Sequence, residues 1–224
     1  ALFRQAGVIR TNTLSELLDV ASLLANQPLP AGNRVGIVTN AGGPGIMCAD
    51  ACEAAGLEVP AVPEEVRAQL RKVLPAEASL ANPVDMIATA GAGEYRATIE
   101  ALAAWEGIDA LIVIFVRPLL IRAEEVGAAI REAVAAAPRE LPVQAVFMSP
   151  QGHEALSPGA GIPTYLFPES AARALARVEG YARWRERPLQ APAAFADADT
   201  DAGAAAIAEA LAEGREWLGF GRLE

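Results

Sequence analysis

Between residue 34 and about residue 184 the chain alternates short β-branched runs with helical patterns, and strands joined by helical crossovers require a mainly parallel sheet covered on both faces. The run "DALIVIF" (109–115) holds five consecutive large apolar residues, as expected of a strand buried at the centre of such a sheet. Around it we read strands at "RVGIVT" (34–39), "LEVP" (57–60), "NPVDMI" (82–87), "PVQAVFM" (142–148) and "PTYLF" (163–167). Helices are read from Pro44 to Ala55, closed by Gly56, and at "PEEVRAQLRKVL", "AGEYRATIEALAAW", "AEEVGAAIREAVAAA" and "PESAARALARVEGYARWRER". The succession predicts an α/β, flavodoxin-like fold, in which ligands sit outside the carboxyl ends of the strands.

Two flanks lie outside this unit. In "TNTLSELLDVASLLA" (11–25) Thr13 is an N-cap with Glu16 three positions on, and Leu14, Leu17, Leu18 and Leu24 form an apolar stripe. Residues 1–30 therefore read as a helical lead-in, and 31–187 as the main domain. Residues 188–224 read as a Pro-, Ala- and Asp-rich linker followed by a helix.

The stretch "TNAGGPGIM" (39–47) is where chemistry is expected. Pro44 disfavours the α region at the residue before it, which makes Gly43 the natural N-cap and Pro44 the first helical residue. Gly42 and Gly43 are free to adopt positive φ, and Gly45 leaves the first turn without a side chain. Backbone N–H groups and the positive helix end would then be open to phosphate or carboxylate. Asn40, at the strand's end, adds an amide donor. The dinucleotide fingerprint lacks its third glycine, and no lysine follows to make a Walker A loop.

Other candidates are weaker. Asp85 in "ANPVDM" reads as structural support that anchors loop N–H groups. Arg117, just after the central strand, is placed to meet an anion or to stand exposed. His153 is the sole imidazole and reads as loop structure. Cys48 and Cys52 read as buried thiols, with no second pair to complete a zinc site and no metal expected. "EGYARWRER" reads as a packing face with a charged rim.

Composition closes off whole classes. The chain is 224 residues long with a formal net charge of −10, and a duplex nucleic-acid surface would need clustered Lys and Arg. No stretch reaches about 18 uninterrupted apolar residues and no signal peptide opens the chain, so a cytoplasmic protein without membrane or nucleic-acid partners is expected.

The runs "FRQAGVIRTNTLSELLDVASLLA", "RVGIVTNAGGPGIMCADACEAAGLEV", "ANPVDM", "DALIVIFVRPLL" and "GIPTYLFPESAARALARVEGYARWRERP" resemble, in order, the ADP-forming acyl-CoA synthetases, acetate–CoA ligases of the succinyl-CoA synthetase superfamily. The resemblance implies the second flavodoxin-like ligase domain of a larger, oligomeric enzyme. Its partners would be upstream CoA-binding and ligase domains, a downstream ATP-grasp domain or subunit, and a small carboxylic acid. The family joins acid, CoA and ATP into acyl-CoA, ADP and phosphate through a phosphohistidine. That histidine is implied to lie in an upstream Ser-His-Thr-Gly loop, not at His153. CoA, ATP or ADP, and Mg2+ would serve the whole enzyme, with phosphate or sulfate alone expected on this chain.

By the same resemblance, the helix starting at Gly43 is one of two opposed helices that hold the phosphohistidine. Asn40 and the turn at Val116, Arg117 and Pro118 would line the acyl or phosphate site. Succinyl-CoA synthetases carry a Gly-Gly pair where this chain reads Phe115-Val116-Arg117-Pro118. Two rival readings are a regulatory module fused to a protein lysine acetyltransferase and a nicotinamide-dependent oxidoreductase domain.

Overall fold

The computed structural model describes residues 2–118, 121–149, 161–188 and 199–215. It forms two compact units, Ala1–Arg187 and Pro188–Glu224. In the second unit the described structure is the helix α8 (Thr200–Ala212), capped by Asp199, whose side chain accepts from the Ala202 N–H. The linker read at 188–201 lies mostly outside the described residues, as does His153.

The first unit is built on a five-stranded, all-parallel sheet: β1 (Val35–Thr39), β2 (Val84–Asp85), β3 (Ala110–Phe115), β4 (Val143–Phe147) and β5 (Thr164–Tyr165), in the order β2-β1-β3-β4-β5. This is the flavodoxin order. Every residue of β1, β3 and β4 is buried, because helices cover both faces. Side chains along β3 alternate between two cores. Leu111, Val113 and Phe115 join a cluster with residues of α4 (Glu64–Leu70), α5 (Ala92–Ala104) and α6 (Ala123–Ala135). Ala110, Ile112 and Ile114 join another with α2 (Leu14–Asn26), α3 (Gly42–Ala54) and α7 (Pro168–Arg185). A short α1 (Leu2–Gln5) precedes α2.

Three local expectations are corrected. "LEVP" is no strand: Glu58 makes one isolated bridge to Arg34, and Pro60 and Pro63 leave the segment too few N–H groups to continue a ladder. The edge of β1 is taken instead by β2 and by the side chain of Asn82. That side chain accepts from the Ile37 N–H at 2.9 Å and donates to the Val35 and Pro60 carbonyls at 2.8 and 3.0 Å. Asn82 thus stands in for a strand, a role with no local signal in the sequence.

The second correction concerns α2. Thr13 caps it as expected, accepting from the Glu16 N–H. The leucine stripe nevertheless faces out, with Leu14 71% and Leu18 62% exposed, while Val20 and Leu23 are buried. The helix is rotated by contacts to distant elements. Arg177 on α7 pairs with Glu16, and the Tyr165 hydroxyl donates to the Asp19 carbonyl. The third correction, at α3, belongs to the site below.

Arg34 and Asp109 tie the amino ends of β1 and β3 together. The guanidinium donates to both carboxylate oxygens at 2.8 Å, and the Arg34 N–H adds a third bond at 3.0 Å. These bonds hold the Asp109 carboxyl below the usual carboxylate range despite burial. A lowered folded-state pKa stabilises above the unfolded value of about 4 and is lost as pH falls through the folded value. Asp109→Asn is expected to cost about 2 kcal/mol at pH 7, less than a fully buried pair because the arginine is partly solvated. In urea melts the difference from the parent should shrink below about pH 4.

Candidate functional site

At the carboxyl end of β1 the chain turns directly into α3. The helix starts two residues earlier than expected: Ala41 is the N-cap, and Gly42, Gly43 and Pro44 are the first three helical residues. Proline is tolerated there because the first four N–H groups of a helix have no partner within it. Neither Gly42 nor Gly43 has positive φ. Ala41 brings no side-chain cap, and Thr39 tightens the turn instead: its hydroxyl accepts from the Ala41 N–H at 3.0 Å and donates to the Ala41 carbonyl at 2.9 Å.

The glycines are required by close approach rather than by backbone conformation. A Cβ on Gly42 would lie 3.0 Å from Asp85 Oδ2, and a Cβ on Gly45 would lie 2.9 Å from Thr39 Cγ2 and 3.4 Å from Pro83 Cβ. Gly43 is different: it is exposed, and nothing lies within 4 Å of its Cβ position. The three expected anion donors therefore separate. Gly45 is buried, and its N–H donates to the Ala41 carbonyl at 3.3 Å. The Gly42 and Gly43 N–H groups make no hydrogen bond to any described residue. With no acid in the first turn of α3 itself, those two amides and the helix dipole form a local positive pole.

Asn40 is 2% exposed. Its side-chain amide donates to the Val116 carbonyl and its oxygen accepts from the Val116 N–H, each at 2.8 Å. The side chain thus brackets the ends of β1 and β3 together. Beyond that bracket, Val116 and Pro118 are half-buried, while Arg117 is exposed and makes no ion pair with any described residue. The family resemblance implied that Asn40 and the 116–118 turn lie side by side, and the two are in contact. It did not show that the amide would be committed to the turn's backbone.

Asp85, at the end of β2, accepts from the Ile87 N–H at 3.0 Å. Ile87 has φ +62, a conformation a β-branched residue adopts only under constraint from its surroundings. The preceding Asn82–Pro83 peptide is cis. Tyr95 lies fully buried behind the carboxylate, its hydroxyl donating to the Ile114 carbonyl at 2.7 Å. Burial and the Asp85 charge push its pKa well above the usual tyrosine range, so it stays a neutral donor. Ile46 and Met47, 61% and 48% exposed, continue the open face of α3 past Gly43.

Cys48 and Cys52 are both buried and unbridged, and the neighbouring Cys52 side chain and burial push the Cys48 thiol up, so Cys48 packs as a neutral thiol. Among the described residues no three His, Cys, Asp or Glu side chains converge as a metal site, and no helix is long and apolar enough to cross a membrane.

The parallel sheet has the flavodoxin order and carries an open, glycine-started helix at its carboxyl edge, the edge outside which ligands sit in such sheets. Residues 35–154 match the Ligase-CoA domain, and the chain belongs to that family. It is 41% identical over 180 residues to the alpha subunit of ADP-forming acetate–CoA ligase II from Pyrococcus furiosus, covering 78% of this chain and 39% of the relative. A 4-hydroxybutyrate–CoA ligase (ADP-forming) from Nitrosopumilus maritimus is 36% identical over 100 residues, 45% of this chain and 14% of that protein. Among solved structures, a protein from Pyrococcus horikoshii superposes with a TM-score of 0.78 at 38% identity, over 83% of this chain and 43% of its own. An acetyl-coenzyme A synthetase from Candidatus Korarchaeum cryptofilum, in complex with phosphate and ADP, gives 0.76 at 28% identity, over 82% and 40%. The chain thus spans about two fifths of the length of the relatives it matches most extensively.

Proposed function

We propose that this chain is the part of an ADP-forming acyl-CoA synthetase that holds a phosphoryl group at the start of α3 and contributes one wall of the acyl site. The observation that carries the reading is the pair of unpartnered Gly42 and Gly43 amides at the carboxyl edge of the sheet, with Gly43 open to solvent. Its role is binding. Among the described residues nothing at the turn is a nucleophile with a general base beside it, and in this reading the phosphohistidine is carried by another domain.

Two N–H donors and a helix dipole stabilise charge on a phosphoryl oxygen without reorganising, which favours a transferring group over a neutral acid. Arg117, projecting beyond the Asn40–Val116 bracket, offers a planar fork to the same anion or to the substrate carboxylate. Gly45 is withdrawn from the donor set and serves packing. The open surface at Gly43, Ile46 and Met47 is half of a site; the opposed helix of the upstream ligase domain supplies the other half. CoA, ATP and Mg2+ belong to the remaining domains, and phosphate is the group these residues fit.

Alone, the chain is expected to make no acyl-CoA from acid, ATP and CoA. Combined with the CoA-binding, first ligase and ATP-grasp portions of its enzyme, it should restore turnover. Turnover by the chain alone that persists through rigorous purification would contradict this division of labour.

A further inference from the structure

We infer that the cavity between the N-terminal segment and the carboxyl-terminal half of α7 is a binding site for a small nucleotide of the nucleoside diphosphate class, separate from the glycine turn. The cavity measures about 620 Å³, within the range of small-molecule sites. Arg10 enters it from the N-terminal segment, and Arg177, Arg183 and Arg187 from α7 and its end, with no acidic residue in the wall. That concentration of cations runs against a chain of net charge −10.

The four guanidiniums are not equivalent. Arg177 is paired with Glu16 at 2.8 Å and Arg183 with Glu179 at 2.6 Å. Arg10 and Arg187 are exposed and form no ion pair with any described residue, so two positive charges on this cavity have no partner among the described residues. A planar guanidinium accepts phosphate oxygens two at a time, the geometry a diphosphate offers.

The same wall is aromatic. The rings of Tyr181 and Trp184 are stacked, with centroids 5.9 Å apart and planes at 16°. The indole is held in place by its N–H, which donates to the Gln5 carbonyl at 3.1 Å. Gly7 packs on the face of the Trp184 indole, its Cβ position 2.5 Å from Cη2 and Cζ3, and the aromatic surface that Tyr181 adds to the cavity wall beside these arginines suits a ligand with a planar base at one end and several negative charges at the other. Free phosphate would leave that surface unused, and a small carboxylic acid would leave the charges unmatched. A nucleic-acid strand would meet the net negative charge of the chain beyond the cavity. Packing alone explains the apolar part of "EGYARWRER", but not why the two charges share a cavity with it.

The test is calorimetric titration of the full 224-residue chain with ADP. Saturable one-to-one binding is expected, weakened at least about tenfold by Arg10→Glu with Arg187→Glu, two exposed positions whose replacement leaves the core intact. Adenosine and pyrophosphate should each bind at least about tenfold more weakly than ADP, since each presents half of the ligand. Gly43→Asp should leave ADP affinity unchanged, which separates this site from the glycine turn. The inference is overturned by the absence of saturation up to about 5 mM ADP. It is equally overturned by pyrophosphate binding as tightly as ADP, by indifference to the arginine pair, or by loss of ADP binding in Gly43→Asp. The first three outcomes do not bear on phosphate at Gly42 and Gly43, which inorganic phosphate probes directly, and the last would move the diphosphate to that turn without contradicting the proposed function.

Discussion

Gly43→Asp in the assembled enzyme is expected to give a well-folded protein that has lost about a hundredfold or more of its turnover. The fold survives because Gly43 is exposed, with nothing within 4 Å of the new Cβ. An acid in the first turn of a helix is also favoured by about 0.3–1 kcal/mol. The chemistry does not survive, because the new carboxylate stands where the two free amides point, and Asp85 already brings one negative charge to the Gly42 side of the helix start. Like charges a few Å apart in a partly dehydrated site repel by several kcal/mol, and about 2.7 kcal/mol suffices for a hundredfold. A melting curve alongside phosphoenzyme formation from labelled ATP separates the two effects. Full activity in a folded variant would show that the turn never meets the phosphoryl group.

Gly45→Asp, two residues on, is expected to fail for the opposite reason. Its Cβ would press on Thr39 Cγ2 at 2.9 Å and on Pro83 Cβ at 3.4 Å. Thr39 cannot easily yield, because its hydroxyl makes both bonds that close the Ala41 turn. Gly45→Ala is expected to cost about 1–3 kcal/mol as an overpacked contact, moderated by the better helix propensity of alanine. The aspartate adds a buried carboxylate and should bring the loss to about 4 kcal/mol or more, a large share of the about 5–15 kcal/mol that holds an ordinary domain folded. Denaturant melts of the isolated chain measure both. An unchanged midpoint in Gly45→Asp would mean that α3 does not seat against Thr39 and Pro83. The contrast between neighbouring glycines distinguishes a packing role from a binding role within a single helical turn.

The parts of the fold written in local pattern were legible in the sequence. The unbroken apolar run at 110–115 announced the central strand, and its helical neighbours announced crossovers and hence a parallel sheet. What the sequence hid depended on distant partners. Nothing near Asn82 says that its amide will replace a strand beside Val35 and Ile37, so "LEVP" looked like the better edge. The leucines of α2 outnumber Val20 and Leu23, yet Arg177 and Tyr165 decide which face turns inward.

The candidate site divides the same way. A glycine cluster between a strand and a helix was readable as a strand-to-helix turn with exposed backbone, and Asn40 was readable as a polar residue at the strand's end. The spacing did not reveal that Gly45 faces Pro83, that Gly42 faces Asp85, or that Asn40 spends its amide on Val116, since each contact joins segments about 40 to 80 residues apart. The cavity beside Trp184 had a signal in "EGYARWRER", but its other wall comes from Arg10, at the far end of the chain.

The central claim is that an anion binds the Gly42 and Gly43 amides, and a titration of the isotope-labelled chain with inorganic phosphate, followed amide by amide by NMR, tests it most directly. The account predicts saturable shifts at Gly42 and Gly43, small changes at Gly45 whose N–H is already bonded to Ala41, and no saturable response at these positions in Gly43→Asp. Gly42 and Gly43 amides that stay unmoved while phosphate shifts other residues would contradict it.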